Sequence, residues 1–392
     1  MKIAYCLFGT YSTGGIERVT TVKANWLAQH GYEVYLITTK HAGRPPYYPL
    51  HPSIHHIDLD IPYEEPGETS RLKAYLHNKP RYKQHRIKLD RLFKELNLDI
   101  AIAAGWHEAK VLGKLSDRSK KIIEHHSFRN MSTAIYPIYL SRIASPTLTT
   151  KLVYKLKALW GQLMTYKMGL YDRQFDQLVV LTEEDKQLCT HCPTTVAIHN
   201  PLPFSIPEVS SSLEDKVILG VGRLSNEKNF QELIDIWALI ARDYPGWKLR
   251  IVGEGYAEPA IRERIETHHL SEQVELRPFT PHIQEEYLRA SIYCLTSAFE
   301  GFGLVLAEAE ALGLPVISYA CPCGPRDIIR EGQDGFLIQP GDKQAFANRL
   351  RQLIENDELR KQMGQAAKSN ARRFDLETIM QQWVSLFDHL LQ

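Results

Sequence analysis

Residues 291–329 read SIYCLTSAFEGFGLVLAEAEALGLPVISYACPCGPRDII, and the order of elements in this stretch decides the fold. An apolar run at 292–295 predicts a buried strand, and the segment 304–312, rich in Leu, Ala and Glu, predicts a helix. Gly313 and Pro315 end that helix, and a second apolar run follows them. Strand, loop, helix and strand in this order are typical of a parallel sheet, so we expect an α/β fold.

The glycine-rich turn between this strand and this helix is a candidate anion site. Its backbone N–H groups lie at a helix N-terminus on the carboxyl edge of a sheet, which is a place where a diphosphate can bind. Glu300 precedes the helix and Glu308 lies inside it. We expect Glu300 to meet a ligand and Glu308 to accept hydrogen bonds from vicinal hydroxyls, such as those of a ribose. The plainer alternative is a doubly wound unit whose acids are only solvated.

A second loop between a strand and a helix carries two cations. The apolar run 217–221 predicts the strand, residues 222–229 form the loop, and 230–242 predicts an amphipathic helix. Arg223 has the geometry of a bidentate phosphate ligand, and Lys228 adds a compact charge beside it. Two cations on one such loop suit a diphosphate that becomes a leaving group.

The phrase G-R-x-x-x-x-K in that loop, followed later by E-x7-E, resembles the retaining glycosyltransferases of the GT-B fold in glycosyltransferase family 4. This resemblance implies two Rossmann-like domains that face each other across a crevice. It implies transfer of a sugar from a nucleoside diphosphate sugar to a hydroxyl, with the anomeric configuration kept. In the family, the positions of Arg223 and Lys228 hold the diphosphate, Glu300 orients the sugar, and Glu308 anchors the ribose.

The same resemblance implies a wider set of donor-binding residues. A Gly-Gly turn after the first strand approaches the donor phosphate, loops at two later strand ends cradle the base, and the turn before the central helix supplies amides. The residues at these positions are Gly14, Gly15, Gly253, Phe279, Gly301, Phe302, Gly303, Leu304 and Val305. From the residues alone, the Gly14–Gly15 turn is not G-x-G-x-x-G and is equally consistent with a tight turn that binds nothing.

A histidine completes the predicted catalytic set of Glu300, Arg223 and Lys228. The family places a histidine beside the donor sugar at the end of a strand in the first half of the chain. His125 is the better match, although the adjacent His126 leaves the choice open. A lone histidine more often packs in the interior or lies on the surface.

The phrase at 321–329 resembles D-C-P-x-G-P-x-E-I-I of transferases in bacterial polysaccharide and lipid-linked oligosaccharide synthesis. Ala320 and Asp327 depart from that phrase, and we assign no catalytic role there. The resemblance favours a hexose or N-acetylhexosamine as the transferred sugar, a UDP-sugar as donor, and a glycan or a lipid-linked molecule as acceptor. We expect no cofactor, no metal and no nucleic-acid partner.

The length of 392 residues suits two domains. The prolines after Asn200 mark a linker. We therefore expect an acceptor-binding domain at 1–200 and a nucleotide-sugar-binding domain at 201–375. The terminal helix, 376–392, should pack back on the first domain.

Charge divides unevenly along the chain, although the net charge is only +1. Residues 1–200 hold 27 Lys and Arg against 18 Asp and Glu, and the rest of the chain has the opposite excess. The basic stretch 128–175 holds the single acid Asp172 and has apolar residues at helical spacing. Two interpretations stay open: a helix that packs in the core with a solvated back, or a helix that lies on an anionic membrane surface.

No export signal and no apolar run of about 20 residues is present in the sequence, so we expect a cytoplasmic protein, peripheral on the inner face of the plasma membrane. The close cysteine pairs, Cys189 with Cys192 and Cys321 with Cys323, favour structural thiols over a metal or redox site. One rival function is a nucleoside-diphosphate-sugar epimerase on the same fold. Another is a catalytically idle partner subunit, which the four intact charged positions argue against.

Overall fold

The computed structural model describes residues 1–41, 43–64, 71–141 and 145–392. Residues 142–144 of the basic stretch thus lie outside the described residues. The chain divides into a first unit, Met1–Pro203 with Leu376–Gln392, and a second unit, Phe204–Asp375. The division falls after Pro203, the second proline of the expected linker.

The first unit is built on a parallel sheet of seven strands. These are β1 (Lys2–Leu7), β2 (Glu33–Thr38), β3 (His55–Asp58), β4 (Ile100–Ala103), β5 (Lys120–Glu124), β6 (Gln177–Val180) and β7 (Thr195–Ala197). Their order in the sheet is β3-β2-β1-β4-β5-β6-β7, and every neighbouring pair is parallel. The connecting helices are α1 (Gly15–Gln29), α2 (Arg71–Leu96), α3 (Trp106–Leu112), α4 (Met131–Ser141), α5 (Leu148–Asp172) and α6 (Glu183–Leu188).

The second unit repeats this plan with six strands. These are β8 (Val217–Val221), β9 (Lys248–Val252), β10 (Val274–Arg277), β11 (Ile292–Leu295), β12 (Val316–Tyr319) and β13 (Gly335–Ile338). They are parallel in the order β10-β9-β8-β11-β12-β13. The helices are α7 (Phe230–Ala238), α8 (Glu258–Thr267), α9 (Ile283–Leu288), α10 (Leu304–Ala311), α11 (Pro325–Ile328), α12 (Lys343–Glu355) and α13 (Asp357–Ala371).

Both sheets are buried on their two faces, as expected for parallel sheets covered by helices. In β1, Ile3 and Tyr5 belong to one core cluster, whereas Ala4 and Cys6 belong to the cluster on the opposite face. Alternation of side chains along a strand produces this division. The α/β class and the two Rossmann-like sheets expected from the sequence are confirmed.

The last helix, α14 (Leu376–Leu391), belongs to the first unit. The indole Nε1 of Trp26 donates to Glu377 Oε2 at 2.9 Å. The ammonium of Lys23 lies 4.4 Å from the ring centroid of Trp383 and also donates to the buried carboxylate of Glu124. Through these contacts of Trp26 and Lys23, α14 packs against α1 and lies close to the end of β5.

The core-packing interpretation of the basic stretch is wrong for α5. Its apolar residues at helical spacing, including Leu152, Leu156 and Leu163, are exposed. The fully buried residues that the structure describes on this helix are Gly161, Gly169 and Asp172. Across the described part of the chain, no helix combines the length and apolarity that crossing a bilayer requires.

The strand order reverses between β8 and β11 in the second sheet, so the loops that follow these strands leave the sheet as neighbours. Ligands of open α/β sheets bind at such a reversal, outside the carboxyl ends of the strands. The loop after β8 carries Arg223 and Lys228, and the loop after β11 carries Glu300.

Candidate functional site

Hydrogen bonds join the two loops at the reversal of the second sheet. The backbone N–H of Ala298 donates to the carbonyl of Glu227 at 2.7 Å. The hydroxyl of Thr296 donates to the carbonyl of Asn229 at 3.1 Å. These hydrogen bonds therefore fix the distance between the loop that carries Lys228 and the loop that carries Glu300.

Lys228 and Glu300 form an ion pair across these loops. The ammonium of Lys228 donates to both carboxylate oxygens of Glu300, at 2.7 Å and 2.9 Å. Ser297 Oγ donates to Oε1 of the same carboxylate at 2.6 Å. Glu300 is only 8 % exposed, so this carboxylate is held in one position by charged and neutral donors together.

Arg223 lies in the same loop and is exposed. Its guanidinium has no hydrogen bond or ion pair with any residue that the structure describes. Five N–H donors are therefore available to an incoming anion. The loop presents one cation already paired with a carboxylate and one that is unpaired.

Gly253 allows the loop after β9 to touch the loop after β8. A Cβ at this position would lie 1.9 Å from the carbonyl oxygen of Gly222, and φ is +157°. The N–H of Leu224 also donates to the carbonyl of Glu254 at 2.8 Å. Phe279, the other predicted base-side residue, lies on the loop after β10 and is exposed.

The start of α10 supplies backbone donors. Gly303 is its N-cap, with φ of 89°, and glycine has no side chain that could accept a capping hydrogen bond from the helix. Leu304 and Val305 are the first residues of the helix and are half-exposed, as is Gly301 before them. The first N–H groups of a helix have no partner inside it, so they can bind an anion. Phe302 is buried against Phe374, so only its backbone can contact a ligand.

Glu308 lies deeper than we expected for a residue that binds a ribose. It is 2 % exposed, and its Oε2 accepts a hydrogen bond from the hydroxyl of Tyr287 at 3.0 Å. Its predicted role toward the ribose stays a prediction. Burial, followed by the charges of Glu300 and Glu308, raises the pKa of the nearby Tyr293 well above its usual value. Tyr293 is thus a neutral phenol, which donates to the carbonyl of Val221.

The Gly14–Gly15 turn lies after β1, at the reversal of strand order in the first sheet. Gly14 is the N-cap of α1, and Gly15 has open space around its α-carbon. The hydroxyl of Ser12 donates to Glu17 Oε1 at 2.6 Å just beside the turn. The turn can be approached closely, but its donor role stays a prediction.

His125 follows β5 and is oriented by a carboxylate. Its Nε2 donates to Asp172 Oδ1 at 2.9 Å, and Asp172 is buried. Burial lowers the pKa of the neighbouring His126 to about 4, and its Nε2 has no hydrogen-bond partner among the described residues. These environments favour His125 over His126 as the functional histidine. Sequence reasoning missed Asp172 as its partner, although Asp172 is the single acid in a basic stretch.

The structure places the predicted residues at two separate sheet edges. Those of the second unit at the carboxyl edge of its sheet are Arg223, Lys228, Gly253, Phe279, Glu300, Gly301, Phe302, Gly303, Leu304, Val305 and, further inside, Glu308. Those of the first unit are Gly14, Gly15 and His125. Within the described ranges, no group of three or more His, Cys, Asp or Glu is placed to hold a metal ion.

Comparison with known sequences identifies relatives over nearly the whole length. Residues 204–370 match the family described as Glycosyl transferases group 1. An uncharacterized glycosyltransferase of Haemophilus influenzae is 28% identical over 389 residues, which is 97% of this chain and 98% of that protein. The amylovoran biosynthesis glycosyltransferase AmsD of Erwinia amylovora is 28% identical over 393 residues, with the same coverage of both chains.

Comparison with solved structures confirms the predicted GT-B fold. TarM of S. aureus, solved as a mutant in complex with fondaparinux, alpha-GlcNAc-glycerol and UDP, has a TM-score of 0.77 at 15% identity, over 99% of this chain and 100% of that chain. The pneumococcal O-GlcNAc transferase GtfA, in complex with UDP and GlcNAc, has a TM-score of 0.73 at 15% identity, over 100% of this chain and 99% of that chain. At such identities the likeness establishes the fold alone.

Proposed function

We propose that the chain is a retaining glycosyltransferase, and the match of residues 204–370 to the family model described as Glycosyl transferases group 1 supports this proposal. It moves a hexose or N-acetylhexosamine from a nucleoside diphosphate sugar, a UDP-sugar first, to a hydroxyl. The acceptor is a glycan or a lipid-linked molecule in the synthesis of a cell-surface polysaccharide.

The observation that carries this proposal is the Lys228–Glu300 pair at the reversal of the second sheet, with the unpaired Arg223 on the same loop. Arg223 and Lys228 bind the diphosphate and stabilise the negative charge that develops on it as it leaves. The free N–H groups at the start of α10 add to this field. Preorganised donors of this kind usually supply the largest part of an enzyme's rate enhancement.

Glu300 takes the sugar side of the donor in this proposal. Its carboxylate is fixed by Lys228 and Ser297, so its remaining acceptor capacity points to one set of hydroxyl positions. The bond from the anomeric carbon to the diphosphate breaks, and a bond from that carbon to the acceptor oxygen forms on the same face. The departing phosphate oxygen takes the acceptor proton, so the reaction needs no protein base.

Several relatives support the choice of substrates. The structure of GtfA holds UDP and GlcNAc, and that of TarM holds UDP with a GlcNAc-glycerol. AmsD is named for the biosynthesis of amylovoran. We propose that the first unit, with Gly14, Gly15 and His125, serves the acceptor and the donor sugar, and that the protein works on the inner face of the plasma membrane.

The test incubates purified protein with UDP-, GDP- and ADP-sugars and follows release of nucleoside diphosphate with and without acceptor extracts. NMR of the product gives the anomeric configuration, and retention is the expected result. Conversion of the donor into another sugar nucleotide without an acceptor would instead identify an epimerase. Donor binding without any turnover, in the presence of every acceptor fraction, would identify an idle subunit.

A further inference from the structure

A cavity of about 430 Å³ lies in the first unit. It lies between α4, α5 and α6. Its polar walls are contributed by Arg129, Thr133, Gln162, Arg173 and His191. Residues of this kind suit a polar group of a ligand, and the predicted donor-binding set includes none of them.

A buried carboxylate organises one wall of this cavity. Arg129 donates through Nη1 to Asp172 Oδ2, and His191 Nε2 donates to the same oxygen at 2.9 Å. Arg129 Nη2 also donates to the carbonyl of Thr165 at 2.7 Å. Asp172 is the carboxylate that orients His125, so the cavity wall and the candidate catalytic histidine share one anchor.

Gly169 makes room for this wall. A Cβ there would lie 2.8 Å from His191 Cδ2 and 2.9 Å from Arg129 Nη2, closer than real side chains approach. Glycine weakens the middle of a helix, and here it lets two basic side chains lie directly against α5.

The segment from Cys189 to Cys192 contributes to the cavity through His191, one of the two residues between its thiols. Burial raises the pKa of Cys189 to about 12, and Cys192 is also buried, so neither thiol is suited to metal or redox chemistry. His191 between them lines the cavity. Its carbonyl accepts a hydrogen bond from Arg173 Nε at 3.2 Å.

The charge of the cavity is positive. Arg129 is matched by Asp172, whereas Arg173 forms no ion pair with any residue in the described ranges. Arg173 is exposed at the rim, with donors available to a ligand. An anionic group is therefore the favoured occupant, and a phosphate matches the planar fork of an arginine.

An apolar stripe on α5 begins at this cavity. Its residues recur every three or four positions on one face, and each is between 43% and 65% exposed; they are Leu152, Leu156, Leu159, Leu163, Tyr166 and Leu170. Tyr166 and Leu170 also line the cavity. The exposed Lys155 and Lys167 lie on the same helix. A row of exposed apolar side chains with lysines beside it is typical of a surface that meets anionic lipid.

We propose that the cavity binds the phosphate of an amphiphilic acceptor, whose hydrocarbon chain lies along the α5 stripe. This inference rests on the proposed function, because the lipid carries the hydroxyl that receives the sugar. A second copy of the chain fits the stripe less well. In a two-fold contact the same basic surface would meet itself, and like charges would be brought together.

The test measures binding of the full chain to phosphatidylcholine vesicles that contain either a polyprenyl phosphate or, at matched surface charge, phosphatidylglycerol. Flotation should show a preference of about tenfold for the polyprenyl phosphate, equal to about 1.4 kcal/mol. Free inorganic diphosphate should abolish that preference by competing for the cavity. Equal binding to both vesicles, insensitive to diphosphate, would reduce the interaction to surface charge and overturn the assignment of the cavity.

Two variants and two controls separate the cavity from the stripe. Arg173→Ala should remove the preference, and the double change Leu156→Ser with Leu163→Ser should lower binding to both vesicles about tenfold. Val209→Ser and Arg242→Ala, exposed residues of the second unit, should change neither quantity. Unchanged vesicle binding in the double variant would refute the stripe. The stripe would also be refuted as a lipid surface if sedimentation showed a dimer of the wild type that the double variant abolishes. That result would assign the stripe to contact with a second copy of the chain.

Donor binding keeps this inference distinct from the proposed function. A thermal shift with UDP should be the same in the wild type, in Arg173→Ala and in the Leu156 and Leu163 variant, because the donor residues are unaltered. A normal UDP shift without vesicle binding would refute the lipid site alone. Vesicle binding without any shift by UDP, GDP or ADP would refute the proposed function alone.

Discussion

Replacing Lys228 with methionine tests the ion pair on which the proposed donor site depends. Methionine keeps most of the apolar stem of lysine and removes the ammonium that donates to both oxygens of Glu300. Ser297 is then the remaining side-chain donor that the structure shows for a carboxylate only 8 % exposed. Net hydrogen bonds to charged groups contribute about 1.5–3 kcal/mol, so we expect a loss of about 2 kcal/mol in the free energy of unfolding of the second unit.

Calorimetry measures this loss as a fall of about 4–8 °C in the melting temperature of a unit of this size. The transfer rate should fall about 10²–10³-fold, as when one donor to a developing anion is removed. A matched control is Lys343→Met, because Lys343 also forms a short ion pair in the second unit, 2.6 Å from Asp235. Arg264 still forms an ion pair with Asp235 in that variant, and His268 still forms a hydrogen bond with it, so sugar transfer should be unchanged.

The double variant Lys228→Met with Glu300→Gln separates stability from chemistry. Because no unpaired carboxylate is left, it should recover about 1 kcal/mol relative to the sum of the single changes. Transfer should stay as low as in the worse single variant, since both groups contact the donor in the proposal. Full activity and an unchanged melting temperature in Lys228→Met would show that the pair neither holds the loops nor binds the donor.

Three further changes test other parts of the molecule. Gly253→Ala should displace the carbonyl of Gly222 and raise the donor KM, with the melting temperature as a check on folding. Burial alone would raise the pKa of Asp172, but hydrogen bonds from His125 and other donors outweigh it, so the net pKa lies below its usual value. The ionised Asp172 therefore stabilises the fold above the unfolded pKa, and this stabilisation is lost as pH falls through the folded pKa. Asp172→Asn should flatten the acid side of a plot of melting temperature against pH and should lower turnover. Burial raises the pKa of Glu310 well above its usual value. The free energy of unfolding should therefore fall as pH rises from the pKa of Glu310 in the unfolded chain toward its pKa in the folded protein. The variant Glu310→Gln should accordingly melt at a higher temperature than the wild type at neutral pH.

Local signals explain why the second unit could be predicted closely from the sequence. The strand expected at 292–295 is β11, and the helix expected at 304–312 is α10, which ends at Ala311. Each has a strong apolar pattern and a glycine or proline at its ends. The amphipathic helix expected at 230–242 was less accurate, because α7 ends at Ala238 and a separate 3-10 turn, Ala241–Asp243, follows.

Tertiary contacts explain what the sequence could not reveal. Asp172 contacts His125 from the last turn of α5, a helix that begins more than 20 residues after His125 in the chain. No local sequence pattern predicts a contact between residues so far apart. The exposure of the apolar face of α5 could not be predicted either, because helical spacing of apolar residues predicts an apolar stripe but not whether another element packs on it. The depth of Glu308 was also not encoded locally: its place in the E-x7-E phrase and the family resemblance predict a contact with the ribose, whereas its burial beside Tyr287 depends on the fold.

The pairing of Lys228 with Glu300 has a consequence for how the proposed donor would be recognised. A diphosphate that draws the ammonium toward itself weakens the hydrogen bonds that stabilise a nearly buried carboxylate, and such a carboxylate is unfavourable without partners. The hydroxyls of an attached sugar can replace the lost donors, whereas a nucleoside diphosphate alone cannot. Under the proposed function, the two loops at the sheet reversal therefore favour a diphosphate that still carries its sugar over the nucleotide that is left after transfer.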